Sequence, residues 1–396
     1  MRSFQPQSRI TFLQKKLDQA NMDIALLHYS RDIYYYTGFA EPSLLLVTPE
    51  ECTFFLRRER PKKWPGVWLN ERSVVERANL EEVYAGVQDF KIKKRTMGLC
   101  LDILPADRFM EFRKLFKGFR MANVSPLILH QRMVKDEGEV NLIRGASDIL
   151  AAGTSRVRQF LRPGVREIDL AAEVEAEHRR CSHSGAIFMR LFDFNMGAGP
   201  LSSGPNLQVS SGLLHSISGS GLSSALPIGA SDRKIQPGEH VMVDLPCNYQ
   251  GYHADQSRTF VAGKAALKTK RIFGLLRELS DGLVAFLRPG VGVSQCYQKA
   301  WSLAKELKIE DSFLAYGARR ANFIGHGLGL EINEPPILKE GEETILEEGF
   351  ILALELPLTH PEAGVLKLED TVVIKSNGAE ILTTAPRELI EVTENR

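Results

Sequence analysis

The sequence predicts an α/β (α+β) fold in two parts: a small α/β domain over residues 1–127 and a larger domain over 128–396 carrying an internal duplication. Three observations lead there. Helical and extended patterns alternate over the first 125 or so residues. The hexapeptide Phe-Leu-Arg-Pro-Gly-Val stands at Phe160–Val165 and again at Phe286–Val291. Acidic residues then interrupt apolar, strand-like runs at Asp244, Glu355 and Glu369.

The chain has 396 residues, 43% hydrophobic and 25% charged, which is ample for two cores and ordinary for a globular protein. A formal net charge of +1 gives no reason to expect nucleic acid or an anionic membrane as partner. No apolar run is long enough to span a bilayer, and the N-terminus lacks the apolar stretch of a signal peptide. The five cysteines are scattered and without C-x-x-C spacing. Reduced thiols in a cytoplasm are the expectation, and Cys247 reads as a turn filler rather than a soft metal ligand.

In the first part, Ile10, Leu13 and Leu17 share one helical face between Ile10 and Gln19. Ile24–Leu27 reads as a buried strand, and Ser43–Val47 with Thr53–Leu56 as a hairpin around Pro49-Glu50-Glu51. Met97–Leu101 is a further strand, and Pro105 opens a helix to Phe116. The aromatic run Tyr34-Tyr35-Tyr36 reads as packing at a helix end. No phosphate-binding glycine loop or metal-ligand cluster is evident.

The segment from Pro126 to about Asp136 reads as the crossing between domains. A long amphipathic helix then runs to the first Phe-Leu-Arg-Pro-Gly-Val, where Pro-Gly stops it, and Ile168–Arg180 is helical again. The second copy has the same setting, with Ser294–Leu307 as the helix that follows. Two copies in one helix–stop–helix context point to duplication, with each half supplying strands after its helix pair.

The stretch Val241–Phe260 reads as a hairpin. With Tyr249 and Gln250 at the turn, Asp244 faces Asp255, with Cβ atoms about 4.5–5.5 Å apart. Bare carboxylates that close repel, so a cation is expected between them. His326 sits in the glycine-rich run Phe323–Glu331, where glycines permit close approach of other groups. Taken alone, that histidine would read as a core residue. Glu355 lies inside the otherwise apolar strand Phe350–Leu356, and Glu369 in the alternating strand Val365–Ile374. A Glu in such a strand is rarely buried unless paired or metal-bound. Thr359–Gly364 turns one strand back on the other. The inventory of two Asp, one His and two Glu suits a pair of Mn, Co, Zn or Fe ions better than a structural zinc.

At these residues the chain resembles the "pita-bread" metallopeptidases: methionine aminopeptidases, prolidases, Xaa-Pro aminopeptidases and creatinases. The resemblance covers essentially the whole chain, including a creatinase/prolidase-type N-terminal domain and, at Arg132–Ala146, the family's linker helix. It implies a pita-bread domain with pseudo-twofold duplication and five ligands at Asp244, Asp255, His326, Glu355 and Glu369. Asp255 and Glu369 would bridge two divalent ions, and Glu355 would shuttle a proton. The implied reaction is hydrolysis of the bond after a peptide's N-terminal residue by a metal-bridging hydroxide, in a cytoplasmic homodimer.

The departures fall around the substrate. Ile228 follows Ala225-Leu226-Pro227 where the family usually has a His, Asn333 stands where a second His is usual, and Lys367 replaces an Arg near substrate. His215 and His360 are candidate replacements. The reading is therefore a metal-dependent peptidase resembling Xaa-Pro dipeptidase/aminopeptidase, with Glu355 and Lys367 as catalytic candidates and an altered substrate shell. The alternatives are a creatinase-like hydrolase of a small non-peptide C–N substrate and a non-catalytic metal-binding homologue. Four buried carboxylates argue against the last.

Overall fold

The computed structural model describes residues 6–59, 68–88, 90, 95–194, 196–210, 217–316 and 319–393. It divides into two compact units, Ser3–Arg132 and Met133–Arg396. His215 lies outside the described residues.

In the smaller unit a six-stranded sheet has the order Val74–Val75, Cys52–Leu56, Ser43–Val47, Ile24–Leu27, Thr96–Leu99, Arg120–Asn123. The Ser43–Val47 hairpin closes Val47 against Cys52, as the turn residues at 48–51 predict. Helices Pro6–Gln19, Ser30–Thr37, Leu80–Gln88 and Ala106–Leu115 accompany it. The aromatic run belongs to Ser30–Thr37, which ends on Gly38 at φ 73°, a left-handed cap that glycine adopts without strain.

The larger unit is a nine-stranded sheet backed by two helix pairs. In chain order its elements are α1 (Glu137–Phe160), α2 (Glu167–Arg180), β1 (Leu201–Ser203), β2 (His240–Asp244), β3 (Cys247–Tyr249), β4 (Tyr252–Ala254), β5 (Ser257–Ala262), α3 (Leu267–Phe286), α4 (Val293–Glu306), β6 (Phe323–Gly327), β7 (Glu334–Lys339), β8 (Ile351–His360), β9 (Gly364–Lys375), β10 (Gly378–Ile381) and β11 (Ile390–Val392). The main path across the sheet is β7-β6-β8-β9-β5-β2-β1, with β10 added to β9 and β11 to β5. The α3–α4 pair packs on the β8–β9 half, where Leu276, Leu279, Leu283 and Ala300 meet Leu354, Leu356, Leu366 and Leu368 in one core. On the other half, Leu170 and Val174 of α2 and Val157 of α1 join Val241, Val243 and Phe260.

The two Phe-Leu-Arg-Pro-Gly-Val copies are built alike. Each Phe ends its helix, and the next residue caps it at φ −63°, ψ 124° (Leu161) or φ −67°, ψ 125° (Leu287). Gly164 and Gly290 follow at φ 91° and 89°. The Gly164 N–H donates to the Ile235 carbonyl at 2.8 Å, and the Ile235 N–H donates to the Val165 carbonyl at 2.9 Å. In the second copy, Gly290 donates to Leu346 at 2.9 Å, and Leu346 to Val291 at 2.8 Å. Nine residues after these partners come Asp244 (244 − 235) and Glu355 (355 − 346), so the two halves deliver corresponding carboxylates.

The register of the first hairpin differs from the expectation. Tyr249 pairs with Tyr252, which places the turn at Gln250-Gly251 rather than Tyr249-Gln250. Both turn residues have positive φ, 49° and 89°, as a tight two-residue hairpin turn requires, and glycine supplies one without cost. Asp244 consequently pairs with Ser257, not Asp255. Asp255 and Gln256 lie between β4 and β5.

Candidate metal centre

The register lines up the site in rows. Asp244 pairs with Ser257, Ser257 with Glu369, and Glu369 with Glu355, so four strands carry one row of side chains on one face. A second row is offset by two residues. There His326 pairs with Ala353 and Ala353 with Thr371. Thr371 Oγ1 accepts from the Asp255 N–H at 2.9 Å and donates to the Asp255 carbonyl at 2.8 Å, which fixes Asp255 at the end of that row. A third row, on the other side of the first, holds Lys367 opposite Pro357. Thr259 Oγ1 clamps the Lys367 backbone at 2.9 and 3.0 Å. Ser257 and Ala353 are the small residues of the first two rows and leave space above the sheet.

The five expected ligands come together there, and all are buried. They form two groups whose ligand atoms lie within 4.8 Å of one another: Asp255, His326 and Glu369; and Asp244, Glu355 and Glu369. Glu369 belongs to both. His326 Nδ1 donates to the Gly327 carbonyl at 3.0 Å, because a carbonyl only accepts. Its Nε2 therefore carries the lone pair, 4.0 Å from Asp255 Oδ2. The glycines around it are needed for close approach. A Cβ on Gly325 would stand 2.0 Å from the Ala353 carbonyl oxygen, and one on Gly327 2.3 Å from that of Pro335.

Burial, reinforced by neighbouring carboxylates, pushes Asp255 and Glu369 well above the usual carboxylate range, and burial raises Asp244 despite the nearby Lys367. Burial also lowers the His326 imidazole, favouring its neutral, ligating form. Neither Glu369 carboxylate oxygen has a well-aligned hydrogen-bond partner, and only Oε2 has the Lys367 ammonium nearby, at 3.0 Å. A buried acceptor without a partner costs free energy unless a cation meets it. The unmet Glu369 Oε1 and an oxygen-rich donor set with one imidazole fit a divalent cation.

Lys367 contributes what residue spacing alone did not show. Its ammonium lies 2.6 Å from Asp244 Oδ2, 2.7 Å from Glu355 Oε1 and 3.0 Å from Glu369 Oε2. The lysine expected near substrate thus holds the protein's own carboxylates. Burial opposes its charge, but the three acids outweigh burial and hold its pKa well above the ordinary value.

A cavity of about 500 Å3 opens over the rows. Asn333 lines it, whereas Ile228 does not; Ile228 is half-buried, with its N–H bonded to the Leu226 carbonyl. His360 is also absent from the cavity wall. Its Nδ1 accepts from the Glu362 and Ala363 N–H groups and so caps the turn between β8 and β9. Cys247 is buried in β3 and belongs to neither ligand group.

Sequence reasoning missed Thr371, and it missed the buried pair behind Glu369. Arg258 Nη2 donates to Asp370 Oδ1 at 2.7 Å, and Arg258 Nη1 donates to the Glu369 carbonyl. Thr383 and Arg387 complete the Asp370 carboxylate, both at 2.7 Å. The available signal was Asp370 itself, a second acid in an apolar strand.

The fold and centre are those of a binding site for divalent metal in a duplicated α/β sheet. The chain belongs to metallopeptidase family M24, whose description matches residues 141–376, and the creatinase/prolidase N-terminal domain matches residues 9–134. It is 28% identical to the Xaa-Pro dipeptidase of Pyrococcus horikoshii, covering 94% of this chain and 96% of that protein. It is 27% identical to the Xaa-Pro dipeptidase of Pyrococcus furiosus, covering 96% and 99%. In fold it resembles the prolidase of P. horikoshii (TM-score 0.74, 24% identity, 97% and 100% covered) and the Xaa-Pro dipeptidase of Bacillus anthracis (TM-score 0.78, 23% identity, 98% and 99% covered).

Proposed function

We propose that this chain is a metal-dependent peptidase of the Xaa-Pro dipeptidase type, cleaving the bond after the N-terminal residue of a short peptide. The observation that carries this is the pair of three-ligand groups sharing Glu369 at the floor of the cavity. Near full-length similarity to Xaa-Pro dipeptidases supports it.

Divalent ions, with Mn, Co, Zn and Fe as candidates, would be held by Asp244, Asp255, His326, Glu355 and Glu369, and supply Lewis acidity and water activation when bound. The chain's own residues do the rest. Gly327 fixes the His326 tautomer through its carbonyl. Glu355 lines the cavity and carries a proton between the attacking water and the leaving nitrogen. Met189, Leu191, Phe194 and Ile332 give the cavity an apolar wall that suits a prolyl ring, while Arg190 and Lys339 suit the free carboxylate of a dipeptide. Among the described residues no helix is long and apolar enough to cross a membrane. All five cysteines are free, which supports a reducing compartment. The homodimer implied by the resemblance is checked by light scattering.

The test is a substrate screen on the metal-loaded protein using Xaa-Pro dipeptides, longer Xaa-Pro peptides and guanidino or ureido compounds, with and without chelator. Chelator-sensitive turnover of Xaa-Pro dipeptides is expected. Turnover confined to the guanidino or ureido compounds would replace this reading with the creatinase-like one.

A further inference from the structure

We infer that Lys367 fills one of the two cation positions of the centre. This makes the two ligand groups unequal: one divalent ion binds tightly at Asp255, His326 and Glu369, and a second is held off Asp244, Glu355 and Glu369. The inference rests on the metallopeptidase reading and specifies how that centre is loaded.

The geometry is specific. A protonated lysine has three N–H donors and no acceptor. Here three carboxylates surround its nitrogen at 2.6, 2.7 and 3.0 Å, and they are the three members of the second ligand group. A metal bound there would lie about 2.0–2.2 Å from those same carboxylates, in space the ammonium occupies. The side chain reaches this point because of the rows. Lys367 precedes Glu369 by two residues and shares its face of β9. Ser257, between Asp244 and Glu369, is small enough to leave a gap between the two acids. Lys367 is 1% exposed, and Thr259 holds its backbone on both sides, which directs the side chain over the row of acids.

The first group is different. Lys367 touches Glu369 but is paired with neither Asp255 nor His326, and His326 Nε2 faces Asp255 Oδ2. A divalent ion can enter there while the ammonium stays.

The experiment is a Mn(II) titration of the metal-depleted full-length protein, read by electron paramagnetic resonance and by equilibrium dialysis, for wild type, Lys367→Met and Lys367→Gln. Wild type is expected to take up one Mn(II) per chain with the spectrum of an isolated ion. The second equivalent should bind at least about 30-fold more weakly, since an ammonium and a divalent ion about 4 Å apart repel by that much even at the dielectric of water. The neutral variants are expected to take up two ions with the spectrum of a spin-coupled pair. If they fold only once metal is added, the wild-type titration alone decides. Two tightly bound, coupled ions in wild type would overturn the inference and leave the metallopeptidase reading intact. One ion in every variant would overturn the role of Lys367. No binding in wild type would overturn both.

Discussion

Glu355 and Glu369 face each other directly across β8 and β9, two carboxylates in one row of a buried sheet. Like charges in that relation destabilise a sheet, and the Lys367 ammonium meets both of them. Glu369 is the member common to both ligand groups. Replacing it by Gln is expected to lower kcat/KM by at least about 100-fold, the scale of losing one electrostatic contributor, and to reduce metal uptake measured by dialysis. Glu355→Gln should lower kcat while retaining an ion at Asp255, His326 and Glu369. Equal metal loss in both variants would contradict this division.

Asn333 and Ile228 are separated by the structure, since only Asn333 lines the cavity. Asn333→His is expected to change KM and kcat for Xaa-Pro dipeptides, whereas Ile228→His should leave both within about twofold, as for substitutions away from a site. Steady-state kinetics of the two variants on the same dipeptide checks this. A larger effect from Ile228→His would show that its loop closes over substrate.

His178 is buried against Gly153, where an added Cβ would stand 2.0 Å from the imidazole Nε2. Gly153→Ala is expected to destabilise by about 1–3 kcal/mol through overpacking. In a background of His178→Ala the same change should be close to neutral. Denaturant midpoints for the two singles and the double form the required cycle.

Burial, together with the nearby His183, lowers the His178 imidazole from 6.5 to about 3. The unfolded chain therefore binds a proton that the folded chain refuses between those values. This contribution to stability is fully present above pH 6.5 and is lost as pH falls toward 3, by about 2 kcal/mol at pH 5. His178→Gln should flatten the fall in melting temperature between pH 7 and pH 5. An unchanged profile would place the acid sensitivity elsewhere.

Gly164 and Gly290 both sit near φ 90° with open space at the Cβ position, so only backbone strain opposes a side chain. Alanine at either is expected to cost about 1–2 kcal/mol. Similar losses at both would match the structural equivalence of the two halves, and thermal unfolding of the two variants reads it.

Asp244, Glu355 and Glu369 were legible because each interrupts an apolar strand, whereas His326 among its glycines reads as a core residue when taken alone and joined the set through its company. The duplication was legible because six identical residues occupy the same helix–stop–helix setting. Register was less so. A shift of two in the sum of paired residue numbers keeps every side chain on its face, so the apolar pattern does not detect it. The positive φ at Gln250 and Gly251 chose the turn and moved Asp244 from Asp255 to Ser257.

By itself the sequence determined the two-part α/β chain and its repeated halves and offered five acids and bases as candidates, because these follow from local periodicity, from the cost of burying charge and from the family resemblance. Only the tertiary structure decided how they act together. The alignment of β2, β5, β9 and β8 places four residues in one row. A small residue within that row leaves the gap, and the reach of a lysine side chain carries the Lys367 ammonium among three carboxylates. Reach and vacancy are properties of neighbouring strands, and no single strand's sequence contains them.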